Sequence, residues 1–295
     1  MPLQQLVEYF NDRFVLEHNS SFRPIMLEEG LASGLFGPVR INSKFMPLRL
    51  ANKAETISGY FAQLEVNTYD PPFLKTQQIE RFMSGSETHA SHFDSFINFD
   101  RLTRTVHMLN YLPISHLGKS LFVEVDPRHI LSIKKDHGAY FEEIITKCGL
   151  QTQNVVIVTA LKSYCTEYNA KLHQGLDNYR ARGYKTGLRI NYSHQDPLLL
   201  DFISLLAPNY VCVSTRNIEG AQNDALWPNK LRLIQSCVKS AGGGIVLLGV
   251  QEKKFAQLAI DYAVDLVEGN YYRAMAYDYR SHLKLESHNL TTISY

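Results

Sequence analysis

The sequence predicts an α/β fold, a TIM-like (β/α)8 barrel, and three observations carry that prediction. From residue 120 onward, short apolar runs alternate with stretches of helical spacing, at intervals of roughly 20 to 35 residues. The runs are apolar throughout instead of alternating with polar residues, as strands are when both sheet faces are covered. Six such runs and two N-terminal strands give the eight that close a barrel of about 250 residues. The competing arrangement, an open doubly wound sheet, needs a Gly-rich turn after an early strand to bind a nucleotide. The glycine cluster Gly242–Gly244 precedes a strand, so it reads as a helix-to-strand turn.

The elements follow in order. Leu3–Leu16 has helical spacing, Phe22–Leu27 and Val39–Leu50 are the two N-terminal strands, and Phe96–Leu112 is a long helix. The six apolar runs are Leu121–Val125, Val155–Val158, Tyr184–Ile190, Tyr210–Val213, Ile245–Leu248 and Val264–Val267. Helical stretches separate them at Tyr140–Cys148, Thr166–Arg182, Pro197–Leu206, Leu226–Ala241 and Lys253–Tyr262. Gly149, Gly183 and Gly242 stand just past helix ends, where a left-handed cap favours glycine. Pro197 and Pro228 stand at first turns, where the missing N–H has no intrahelical partner to lose.

Composition narrows the function class. With 45% apolar and 20% charged residues, the 295-residue chain is neither disordered, collagen-like nor coiled-coil. Thirty Lys and Arg against 29 Asp and Glu leave a net charge of +1, so no overall field favours nucleic acid or an anionic membrane. Cys148, Cys165, Cys212 and Cys237 lie far apart without a C-x-x-C pair, the pattern of reduced buried thiols. Met1–Phe14 carries Glu8 and Asp12 and lacks the apolar core of a signal peptide. The apolar runs are too short to cross a bilayer. A soluble cytoplasmic protein is expected.

Eight short strings add a family likeness. They are SFRPIM (Ser21–Met26), FMPLR (Phe45–Arg49), LFVEVDPRHI (Leu121–Ile130), NVVIVTA (Asn154–Ala160), GYKTGLRINY (Gly183–Tyr192), PNYVCVS (Pro208–Ser214), GIVLLGVQ (Gly244–Gln251) and DLVEGNYY (Asp265–Tyr272). In this order they resemble the segments of the bacterial EAL domain, the cyclic di-GMP phosphodiesterase barrel. The corresponding family strings are Y-Q-P-I-V, E-A-L-x-R, V-N-L-S-P, E-I-T-E, the D-D-F-G segment, V-D-x-I-K-x-D, V-I-A-E-G-V-E and Q-G-Y-Y. The likeness covers residues 1–275 as one EAL-like barrel and leaves 276–295 as a C-terminal extension.

What the resemblance implies about chemistry is a loss. The family's enzymes hold two divalent metals with carboxylates and an asparagine at the carboxyl ends of the strands, and the metals activate the attacking water. In this sequence the signature glutamate is matched by Phe45 and the asparagine by Glu124. The next glutamate is matched by Ile157, with Ala160 beside it, and the paired aspartates by Arg189 and Ile190. Cys212 and Ser214 replace a lysine and an aspartate; Leu248 and Gln251 replace two glutamates; Glu268 replaces the closing glutamine. Hard metals need oxygen ligands, so the resemblance implies no metal, no cofactor and no phosphodiester hydrolysis. Glu124, Arg189 and Glu268 are left as a vestigial site. There the Arg189 guanidinium is expected to bridge to Glu124 or Glu268 in the metals' place, the alternative being that it turns out into solvent.

Arg49 matches the family's arginine, which contacts a nucleotide phosphate; its other reading is an internal ion pair at a strand end. The family's S-P-x-x-F turn corresponds to Ser58-Gly59-Tyr60-Phe61, without the proline. Cyclic di-GMP binding is therefore expected to be weak or absent. Away from the resemblance, His89 and His92 stand three apart, as metal ligands on one helical turn do, but their Ser, Thr and Glu neighbours read as a solvated loop. Asp136-His137 reads as a helix cap, and His194 lacks a legible serine–acid setting. Seventeen Tyr and 15 Phe are enough to supply a protein-binding surface beside the core. Two functions stand: a non-catalytic regulator that binds another protein in a bacterial signalling, motility or adhesion pathway, and a non-hydrolysing cyclic di-GMP receptor. A different reaction in the same barrel mouth is a weaker third. A homodimer is compatible with either of the first two, and the tail serves equally as added strand, dimer arm or partner-binding segment.

Overall fold

The computed structural model describes residues 3–18, 21–37, 39–68, 90–132, 139–161, 169–190, 199–220 and 227–275. Helix α1 (Leu3–His18) leads into β1 (Ile25–Glu28), β2 (Leu31–Phe36), β3 (Val39–Leu50) and β4 (Lys53–Thr68). Next come α2 (Ala90–Tyr111), β5 (Ser120–Val125), α3 (Pro127–Ser132), α4 (Ala139–Lys147), β6 (Val155–Ala160) and α5 (Asn169–Ala181). The remainder is β7 (Lys185–Ile190), α6 (Leu199–Leu206), β8 (Tyr210–Ser214), α7 (Thr215–Gly220), α8 (Trp227–Ser240), β9 (Gly244–Leu248), α9 (Lys253–Asp261) and β10 (Leu266–Val267).

The strands pair in the order β1-β2-β3-β10-β9-β8-β7-β6-β5-β4, and β3 pairs with β4, so eight strands close into a barrel. The pairs β5–β6, β7–β8, β8–β9 and β9–β10 are parallel, while β3 runs antiparallel to β10. The expected closed α/β barrel is what forms. Its parallel strands are buried on both faces, as the unbroken apolar runs require: Val155–Val158 and Val211–Val213 are each at most 1% exposed. The predicted caps hold as well, since Gly149, Gly183 and Gly242 all have positive φ.

The membership of the barrel differs from expectation in one strand. The Phe22–Leu27 segment gives β1, which pairs with β2 in a hairpin outside the eight. The missing barrel strand is β4. Lys53, Glu55, Thr56 and Ser58 interrupt its apolar pattern, so no strand is expected there. Ser58–Phe61 is accordingly not a turn: it lies inside β4, with Tyr60 and Phe61 buried. Gly59 has a packing reason, because a Cβ there would stand 2.5 Å from the Ser120 carbonyl oxygen.

Two compact units subdivide the chain. The first comprises Met1–Lys44, Ala62–Ser115 and Leu121–Thr186. Leu6, Val7 and Phe10 of α1, Val106 and Leu109 of α2, Phe122 and Ile144 form part of its core. Each such side chain contributes about 1.5–3 kcal/mol by leaving water. Two asparagines finish its sheet. The Asn11 carboxamide receives the Ile25 N–H at 2.9 Å and donates to the Ile25 carbonyl at 2.7 Å. Asn110 does the same for Ala32, at 2.7 Å in both directions, so each side chain stands in for a strand partner. The second unit comprises Phe45–Phe61, His116–Ser120 and Gly187–Tyr295. In it, Lys239 pairs with Asp265 at 2.6 Å, and the other Asp265 oxygen receives the Ile245 N–H at 2.7 Å, fixing the start of β9. The stretch 276–295 lies outside the described residues.

Candidate functional site

In a (β/α)8 barrel the chemistry sits at the carboxyl ends of the strands. Register decides which side chains share a face there. Arg189 pairs with Cys212, Cys212 with Val246, and Val246 with Leu266. Ser214, two residues past Cys212, pairs with Leu248. Glu268, two past Leu266, continues the β10 ladder: its N–H donates to the Leu247 carbonyl at 2.9 Å and its carbonyl accepts from Val250 at 2.8 Å. Arg189, Cys212, Ser214, Leu248 and Glu268 therefore lie on one face at successive strand ends. The resemblance grouped these positions from sequence, and the ladder brings them together in the second unit.

Their environments differ. Arg189 is exposed although its neighbours Leu188 and Ile190 are buried. Cys212 is fully buried, and Ser214 and Leu248 are half-buried. Glu268 is only 5% exposed, and its Oε2 receives the Gly249 N–H at 3.0 Å. The Thr215 hydroxyl donates to the Gly249 carbonyl at 2.6 Å, so both polar groups of that peptide residue are held. Gly269 lies flat against Val250, where a Cβ would stand 2.1 Å from the carbonyl oxygen. The segments that follow β8, β9 and β10 are thus tied to one another through backbone groups of Gly249 and Val250, with the Thr215 hydroxyl and the Glu268 carboxylate among the ties.

As a donor set for two hard divalent cations, this face does not fit. Guanidinium repels a cation, thiol and isobutyl groups do not suit a hard one, and Glu268 is the one carboxylate among these five positions. Among the described residues no group of three His, Cys, Asp or Glu side chains clusters to hold a metal ion.

Arg49 stands apart from this face. It pairs with Val267, the neighbour of Glu268 in sequence, and so belongs to the opposite side of the ladder. It is 1% exposed, and its Nη1 donates to the Ala54 carbonyl at 2.7 Å across the β3–β4 turn. Arg49 is thus held at the β3–β4 turn by a backbone carbonyl. Phe45–Arg49 lies in β3, which with β4 forms the first two strands of the barrel in chain order. Phe45 and Phe61, one on each, are both buried and apolar.

Glu124 ends β5 in the first unit, half-buried and paired with Val158. Two residues on, Asp126 is gripped by the Arg128 side chain, Nε at 2.9 Å and Nη2 at 3.2 Å. Ile157 is fully buried in β6. Cys148 is a buried free thiol whose pKa burial pushes up to about 12, so it is inert, and Cys237 is half-buried. Cys165, His89, Asp136, His137 and His194, and the His92 side chain, lie outside the described residues. The sequence reading missed a buried group of Asp100, Arg104 and His129. Its one sequence signal is an Asp–Arg pair four apart on a helix, which is common on solvated faces.

No family model and no curated protein matches the chain. Solved structures do. The Xanthomonas citri FimX EAL domain in complex with c-diGMP is 18% identical with a TM-score of 0.60, over 94% of this chain and 97% of that one. Klebsiella pneumoniae BlrP1 in a calcium/cy-diGMP complex is 15% identical with a TM-score of 0.60, over 83% and 57%. An EAL domain protein from Listeria monocytogenes is 15% identical with a TM-score of 0.55, over 78% and 86%. The chain spans less than two thirds of the length of BlrP1 and of Bacillus subtilis YkuI. Its fold is the EAL-type barrel. No helix among the described residues is long and apolar enough to cross a membrane.

Proposed function

We propose that this chain is a non-catalytic EAL-type barrel that acts by binding another protein, as a cytoplasmic regulator in a bacterial signalling, motility or adhesion pathway. The observation that carries the reading is the shared face at the ends of β7–β10. Where a two-metal hydrolase needs a ring of carboxylates, that face presents Arg189, Cys212, Ser214 and Leu248, and its glutamate holds the Gly249 N–H. A barrel that keeps its fold without such ligands retains a rigid surface and loses the means to activate water.

The second reading is a receptor that binds cyclic di-GMP without cleaving it. Two observations favour it: Arg189 is exposed at a strand end, and guanidinium suits phosphate; and the FimX EAL domain, which this chain matches over nearly its full length, was solved with c-diGMP. One buried anchor at Arg49 adds nothing to it. Micromolar affinity requires about 8 kcal/mol, and a single charge-assisted contact contributes about 1.5–3 kcal/mol. Titration calorimetry with cyclic di-GMP at millimolar magnesium, followed by assay of the mixture for hydrolysed product, tests both. No heat and no product are expected. Binding at or below micromolar that Arg189→Ala abolishes establishes the receptor, and turnover that vanishes with chelator refutes both readings.

A further inference from the structure

Beside the end of β5, helices α2 and α3 enclose a charged cluster on which the strand-end face makes no demand. Asp100 and Arg104 lie one turn apart on α2, and His129 lies on α3. All three are buried, at 8%, 2% and 3% exposure. Arg104 Nη2 donates to Asp100 Oδ2 at 2.6 Å, and His129 Nδ1 stands 3.0 Å from the same oxygen. Arg104 Nη2 also lies 3.3 and 3.2 Å from the two ring nitrogens of His129, and its guanidinium carbon sits 4.8 Å over the Phe141 ring of α4. The second Asp100 oxygen receives the Asp126 N–H at 3.4 Å. Asp126 in turn caps α3 by accepting the Arg128 N–H at 2.8 Å. One buried carboxylate therefore ties α2 to the turn leaving β5, two residues after Glu124.

Buried ion pairs are weak evidence of stability, because apolar groups of the same volume do as well or better. A titratable ring wedged into such a pair adds something an apolar contact lacks, a dependence on pH. The charged and titratable groups that bear on His129 include Asp100, Arg101 and Arg104 from α2, with Tyr179 of α5 acting on Arg104 and with Asp126 and Arg128 on the turn before it. Asp100 is the carboxylate that His129 contacts.

We infer that Asp100, Arg104 and His129 form an acid-released latch: with His129 neutral it holds α3 and the Asp126 turn on α2, and a proton added to His129 lets them go. The neutral ring gives Asp100 one N–H and lies against Arg104 without opposing charge. The added proton makes a second cation within 3.3 Å of the guanidinium, and the two then compete for one carboxylate. Burial first, then Arg104, lowers the His129 pKa, with Asp100 opposing. Burial works to raise the Asp100 pKa, but Arg104 and His129 outweigh it and hold the carboxyl ionised. A ring whose pKa is depressed by folding stabilises fully above its ordinary value and loses that contribution as pH falls. The latch is thus closed at neutral pH and loosens in mild acid.

Hydrogen exchange of the full chain tests this. The amides of residues 129–132 are followed in the wild type and in His129→Gln, which retains a donor and does not titrate, at pH 7.5 and pH 5.5, each corrected for its intrinsic rate. Between these conditions the wild-type α3 amides should lose about tenfold more protection than the same amides of the variant, the factor by which an exposed ring with the ordinary pKa of about 6.5 outgains one kept neutral. At pH 5.5 the wild-type α3 amides should also be less protected than those of Val156–Val158 in β6, as release of α3 without global unfolding requires. A His129→Gln response equal to that of the wild type overturns the inference, as does equal protection of α3 and β6 at pH 5.5. Should the variant fail to fold, wild-type α3 amides that keep the same protection at both pH values, or that match β6 at pH 5.5, overturn it.

Discussion

Replacing Glu268 tests whether its carboxylate is a structural tie or a metal ligand. Its Oε2 receives the Gly249 N–H at 3.0 Å from a side chain that is 5% exposed. A hydrogen bond to a charged group has a net worth of about 1.5–3 kcal/mol, so Glu268→Ala should destabilise by that amount. Glu268→Gln keeps an acceptor oxygen in the same place and should cost about half as much. Urea unfolding of the three proteins, with and without magnesium, is the assay. A divalent ion at a hundred times its dissociation constant would stabilise the folded protein by about 2.7 kcal/mol. The expected result is one wild-type midpoint in either buffer and the graded order wild type, Gln, Ala. An alanine variant within about 0.5 kcal/mol of the wild type would refute the tie. Magnesium stabilisation present in the wild type and lost in Glu268→Gln would refute the account of the whole face.

Two further outcomes follow from the packing. Gly59→Ala brings a methyl group within 2.5 Å of the Ser120 carbonyl oxygen, a backbone atom that cannot swing aside. It should cost about 1–3 kcal/mol in denaturant unfolding, and a neutral result would mean that the β4–β5 contact is looser than described. His107 is buried with Nδ1 2.7 Å from the Ser43 hydroxyl, and burial lowers its pKa to about 4. Its contribution is complete above the ordinary histidine value and is lost as pH falls from about 6.5 to about 4, a loss of about 3 kcal/mol. Stability measured against pH in the wild type and in His107→Gln should differ in slope across that window, and identical slopes would contradict the burial.

The half of the chain from β5 onward was legible because its strands are apolar on both faces, a pattern only a covered sheet produces. Val155–Val158 and Ile245–Leu248 fall within observed strands for that reason. β4 was not, because Lys53, Glu55 and Ser58 give it the composition of a loop, and its place comes from pairing with β3. Helices α3 and α7 have six residues each, too few for a 3.6-residue period to show. At the strand ends, chain order sufficed for Arg189, Ser214, Leu248 and Glu268, since parallel register turns order into a shared face. It did not place Arg49, because alternation says that neighbours face opposite ways and does not say which way is out. Asp100 and His129 are distant in sequence and share no motif, so nothing short of the folded chain could join them.

The α1 asparagine that meets the first strand of the outer hairpin has a consequence for behaviour at high concentration. A closed barrel offers a neighbouring molecule no ladder to extend, yet the β1–β2 hairpin outside it reintroduces an open edge. Asn11 occupies that edge at Ile25, taking up the N–H and the carbonyl that another chain would seek. A carboxamide can imitate one peptide unit, but it has no following unit to hand the pattern on. The ladder therefore stops at a side chain, and the strand that lies outside the closed ring is made a poor template for joining one molecule to the next.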